Sequence, residues 1–192
     1  MVVLGSATFA LLAVVFFWIF KLTVFDSMKV DMVPAEKVAS FIHAILEANR
    51  SNYTDNVVVK LQRDGVEAHE HWKDERGVPL PAQFLMESGR LVALKDLKFS
   101  FRLASLTPIY VWNGPNSDLE RLGLDAVQKD PTRPHFGFLT KSGTRLFQAI
   151  YADRATSQAC VDCHNRHPNS PRRDLQKNDV MGGIVITFPV GE

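Results

Sequence analysis

A chain of 192 residues can form one domain with a substantial core plus one additional apolar segment, and is too short for a second full domain. Its 22 basic and 21 acidic residues leave a formal charge of +1, which offers no electrostatic footprint for nucleic acid or another polyanion. Nucleic-acid binding is therefore set aside.

The first element in chain order is apolar. Residues Met1 to Phe20 hold no charged side chain and end at Lys21; as a helix they would span about 30 Å, the thickness of a bilayer's hydrocarbon core. This predicts an uncleaved transmembrane anchor over residues 1–25, with the lipid bilayer as its partner. A cleaved signal peptide would need a basic segment before the apolar run and a small-x-small site after it, and Leu22 to Ser27 supplies no such site. Lys21, Asp26, Lys29 and Asp31 cancel, so flanking charge does not set the orientation.

From Pro34 onward, Val38, Phe41, Ile42, Ile45 and Leu46 recur at helical spacing, and Pro34 suits a first turn, where its missing N–H costs nothing. The pattern predicts a long amphipathic helix reaching Tyr53, Val57 and about Leu61, a stalk over residues 26–64 that leads into the domain. His43 falls on the flank of this helix, away from the Val38, Phe41 and Ile45 stripe, and reads as a surface histidine.

An irregular stretch with His69, His71, Gly77, Pro79 and Pro81 follows, then a short helix over Ala82 to Leu94 in which Met86 reads as core packing. Phe99, Phe101 and Leu103 alternate with Ser100, Arg102 and Ala104, the period of a strand with one buried face. Asn113-Gly114-Pro115 breaks the chain. Ser117 and Glu120 are spaced as a capping box for a helix with Leu119, Leu122 and Val127, which ends near Asp130-Pro131. His135 to Thr140 and Thr144 to Tyr151 read as hairpin arms around Lys141-Ser142-Gly143, and Gly183 to Val190 as a last strand. Helices first and antiparallel strands later predict an α+β domain over residues 65–192.

Between the last two strands lies Cys160-Val161-Asp162-Cys163-His164, a C-x-x-C-H sequence of the kind that attaches a c-type haem. Two thiols one helical turn apart can each form a thioether with a haem vinyl group, and His164 then serves as the proximal iron ligand. One covalent haem c is expected, using both cysteines of the chain. A thiol-disulfide centre and a zinc site are the rival readings of such a pair. A zinc site would have to crowd Cys160, Cys163, His164 and His167 into eight residues, whereas structural sites bring two pairs together across a longer loop. Because c-type haem is attached on the outer side of an energy-transducing membrane, the expected location is the inner membrane, single-pass, with the haem domain in the periplasm. The late motif and its surrounding strands distinguish the chain from all-helical cytochromes.

Three blocks in order carry a family likeness: Asn49-Arg50-Ser51-x-Tyr53-Thr54-x-Asn56-Val57-Val58, Val78-Pro79-Leu80-Pro81-Ala82, and Ala159 through Pro171 around the motif, followed by Asp179-Val180-x-Gly182. In these the sequence resembles PAS-like periplasmic c-type haem domains, which occur in membrane-bound histidine kinases, cyclases and chemoreceptors and as stand-alone haem proteins. The resemblance implies a twisted antiparallel sheet with flanking helices and haem against one side. Some stand-alone relatives use a distal cysteine, which this chain lacks. His71 and His69, just upstream of the Val78-Pro79-Leu80-Pro81 block, are the candidate distal ligands; the competing reading places both on a solvated surface among Glu67, Glu70, Lys73 and Asp74. His135 is ambiguous in the same way. His167, Arg166 and Arg172, with Arg173 and Lys177, are candidates to contact haem propionates.

No recognisable acid/base constellation accompanies the motif, so an enzyme is not expected. The leading expectation is a membrane-anchored monohaem cytochrome that passes single electrons as a subunit or redox partner of a larger membrane complex. The alternative is a haem-based redox or diatomic-gas sensor. With the sequence ending at Glu192 and no kinase, cyclase or methyl-accepting region, its signal would leave through a partner.

Overall fold

The computed structural model describes residues 13–20 and 32–191. The chain divides between Pro34 and Ala35, and the two parts are taken separately. In the first, residues 13–20 are helical (α1). Eight helical residues reach only about 12 Å. Among the described residues no helix is long and apolar enough to cross a membrane, which overturns the expected anchor over 1–25 and the single-pass inner-membrane location built on it. Residues 1–12 and 21–31, on which most of that expectation fell, lie outside the described residues.

The second part is α+β. It opens with α2 (Ala35–Tyr53), a π-helical turn (Thr54–Val58) and α3 (Val59–Arg63), which follow one another without a break. The Thr54 hydroxyl donates to the Arg50 carbonyl at 2.8 Å at the start of the π turn, where one residue too many enters the ladder. Ala39, Leu46 and Arg50 are buried, with Ala35 and Ile42 packed beside them, so the inward face follows the i, i+4, i+7 rule. Phe41 and Ile45 lie outside that face, 53% and 60% exposed. The helix read as a stalk thus meets the sheet through small and medium side chains while its bulkiest apolar residues face outward.

After the 65–80 loop come α4 (Pro81–Ala93), β1 (Ser100–Ala104), a 3-10 turn (Val111–Asn113), α5 (Asp118–Lys129), β2 (His135–Lys141), β3 (Thr144–Arg154), α6 (Gln158–Arg166) and β4 (Val180–Pro189). The four strands form one antiparallel sheet in the order β1-β4-β3-β2. Ser142 and Gly143 join β2 to β3, both with positive φ (49° and 75°), the primed turn that matches strand twist; Gly143 takes this conformation without a side-chain penalty.

Both faces of the sheet are covered, so β1 does not carry only one buried face. Phe101, Phe147, Ala149, Tyr151, Ile184 and Ile186 pack with α2 and α4 on one side. On the other, Ala104, Ile150 and Val185 pack with Leu124 and Val127 of α5. The α5 N-terminus is fixed as its sequence requires: Ser117 Oγ accepts from the Glu120 N–H at 3.1 Å. Glu120 then departs from a capping box, accepting instead from the Asn116 N–H and from Arg102 of β1, each at 2.7 Å. Gly182 is a close-approach position, because a Cβ there would sit 2.3 Å from the Ala104 carbonyl oxygen across the β1–β4 ladder.

Candidate functional site

The motif lies on α6. Ser157 caps the helix, its Oγ accepting from the Cys160 N–H at 3.4 Å and lying 3.1 Å from Cys160 Sγ. Gln158 to Asp162 (2.9 Å) and Arg166 to Asp162 (3.2 Å) brace the outer face at i, i+4 spacing, and Val161 is buried beneath. The last turn closes with the His167 N–H on the Cys163 carbonyl at 2.9 Å; His167 is extended, as the residue before Pro168 must be. Cys160, Cys163 and His164, at i, i+3 and i+4, therefore share one flank of the helix.

Both cysteines are free thiols and half-buried. Burial pushes the Cys163 thiol above its ordinary value, with the Glu70 carboxylate adding to it. A disulfide-exchange centre requires the opposite shift, which weighs against that rival. Among the described residues no group of three or more His, Cys, Asp or Glu side chains is disposed to hold a metal ion by itself, which weighs against zinc. Burial also lowers His164, against a smaller opposing effect of the Asp153 carboxylate, so its imidazole is neutral and free to coordinate at pH 7.

The loop after α6 is pinned to it. Asn165 Nδ2 donates to the Leu175 carbonyl at 2.9 Å, and the Leu175 N–H returns to Asn165 Oδ1 at 3.0 Å. Arg173 donates to the Asn165 and Pro168 carbonyls at 3.3 and 3.1 Å. His167 Nδ1 accepts from the Asn169 N–H at 3.1 Å, which leaves the ring proton on Nε2, 3.3 Å from both oxygens of Glu70. Tyr110 donates its hydroxyl to the same carboxylate. That bond, with burial adding to it, raises Tyr110 to about 12; the same bond, against burial and with help from His167, holds Glu70 below the usual carboxylate range.

The other sequence-derived candidates are dispersed. Arg166 is exposed and pairs with Asp162. Arg172 reaches Asp174 at 3.2 Å and Asp179 at 3.9 Å. His69 folds into its own loop, with Nε2 3.4 Å from the Arg76 carbonyl, and His71 points outward, its side chain 63% exposed. The 65–80 loop meets the α6 region through Glu70, which lies between them and which the sequence marked only as a flanking charge. His43 was missed too. Its ring stacks on Tyr151 of β3 at 3.9 Å and an 11° tilt, next to the buried face of α2.

The model of the Tll0287-like family matches residues 32–189, which covers all of the sheet and α6. The chain belongs to the Tll0287-like family. Among solved structures, that of the cyanobacterial haem protein Tll0287 aligns at 13% identity with a TM-score of 0.48, covering 83% of this chain and 99% of that one. No curated protein matches.

Proposed function

We propose that this Tll0287-like chain carries one covalent haem c, held by thioethers from Cys160 and Cys163 with His164 as proximal ligand, and that it passes single electrons to a redox partner. The observation that carries the reading is the shared flank of α6: two free, half-buried thiols and a neutral imidazole on a capped helix. The donor set fits haem c, whose iron, when bound, cycles between ferrous and ferric states without further bond changes.

The chain's own residues supply position and electrostatics. Ser157 fixes the first turn of α6, and Asn165 and Arg173 clamp the loop that follows. His167, ordered by Glu70, walls the C-terminal end of the helix. Arg166 and Arg172 are the cations we assign to propionates, Arg166 being free to swing from its exposed pairing. The chain is read as an electron carrier rather than a catalyst.

A sensor is the second reading, and one observation favours it. Asp153, whose charge acts on His164, is also the buried partner of Arg50 on the long helix, so a change of charge at the iron would be felt by α2. The visible spectrum of reduced, haem-loaded protein before and after carbon monoxide separates the two. An unchanged six-coordinate spectrum supports electron transfer; gas binding at low concentration supports sensing.

A further inference from the structure

His43 is placed like a ligand rather than like a surface residue. Its Nε2 is buried and has no hydrogen-bond partner, the nearest acidic oxygen, on Glu47, being 3.7 Å away. A buried ring nitrogen left unsatisfied is rare, and usually marks a site completed by something else. The hydroxyl of Tyr151, on which the His43 ring stacks, is buried and unpaired as well, so the stacked pair carries two orphaned polar atoms.

They border a cavity of about 330 Å³ that is also lined by Arg154 and Thr156. Thr156 immediately precedes Ser157, the cap of α6, so this cavity opens where the motif helix begins. Asp153, two residues along β3 from Tyr151, is ion-paired with Arg50 of α2, which holds α2 against the end of β3 that leads into α6. Of the other histidines outside the motif, His167 is committed to Glu70 and Asn169, His69 turns into its own loop, His71 is outward, and His135 lies half-buried at the first position of β2 against Gly123 of α5. Stacking on Tyr151 fixes the His43 ring plane in advance, so little freedom remains to be lost on coordination.

We infer that His43 of α2 would supply the sixth ligand of the iron, completing bis-histidine coordination with His164 of α6. The inference rests on the haem c reading and replaces His69 and His71 as distal candidates. Two neutral imidazoles make the iron low-spin and closed to exogenous ligands, which suits electron transfer and not gas binding.

The test uses the full chain, matured with the haem-ligation machinery. Near-infrared magnetic circular dichroism of the ferric wild type is expected to show two imidazole ligands. H43A is expected to lose the low-spin spectrum, to gain carbon monoxide binding in the ferrous state, and to regain the low-spin spectrum with added imidazole. The H69A/H71A double variant is expected to match the wild type. A loaded H43A that stays low-spin and gas-inert would overturn the assignment, as would a wild-type signature of a single imidazole, which needs no variant to fold. A wild-type chain without porphyrin mass overturns the haem reading itself, an outcome distinct from a loaded protein with another sixth ligand.

Discussion

Arg50 and Asp153, 103 residues apart in sequence, form a buried ion pair at 2.5 Å that ties the middle of α2 to the end of β3. Each side chain is only 10% exposed, so neither charge has water to fall back on. Removing one partner strands the other. D153N or R50A is therefore expected to destabilise the fold by about 3–5 kcal/mol in urea unfolding, while an apolar replacement of both residues costs clearly less. A double-variant loss equal to the sum of the two single losses would show that the pair is not coupled.

The Tyr110–Glu70 bond makes stability pH-dependent at both ends. Tyr110 loses its proton at about 12 in the fold and at 10.0 in the unfolded chain, so its contribution is complete below pH 10 and disappears as pH rises through 12. Tyr151, raised to about 12 by burial, acts in the same window. Glu70 is depressed below 4.5, so its contribution is present above that value and is lost as pH falls through its folded pKa. Y110F is expected to reduce the alkaline loss without abolishing it and to move Glu70 back towards the ordinary carboxylate range, read by unfolding at stepped pH and by carboxylate NMR titration.

Gly182 has no room for a side chain, since the obstacle is the Ala104 backbone rather than a movable tip. G182A is expected to cost about 1–3 kcal/mol and to speed amide exchange along the β1–β4 ladder. G143A strains only an open turn, where nothing lies within 4 Å, and should leave that ladder protected.

Elements governed by local chemistry were legible in the sequence. The Ser117 cap, the Ser142-Gly143 turn and the position of β1 each depend on neighbours a few residues away, and each stands close to its expected place. The buried face of α2 was legible only in part: Ile42 and Leu46 pack inward as their spacing implies, but hydropathy also favoured Phe41 and Ile45, whereas the face turned to the core carries the small Ala35 and Ala39 instead. Glu70 and His43 escaped for a related reason. Their partners Tyr110, His167 and Tyr151 come from distant segments that only the fold brings near. The 1–20 run shows the limit of composition: apolar content predicted a spanning helix, and no described helix is long enough to be one.

Ser157 offers a further check on how α6 is prepared. S157A is expected to destabilise the motif helix by about 1 kcal/mol and to lower the fraction of chains that acquire porphyrin, measured by haem absorbance per protein. Unchanged loading would mean that the cap has no part in attachment.

The most direct measurement is the intact mass of the full chain purified under denaturing conditions after expression with the ligation machinery, beside the C160A/C163A variant. The account predicts one added porphyrin that survives denaturation in the wild type and is absent from the variant. A wild-type chain at its bare polypeptide mass, or a variant that retains the added mass, would contradict it.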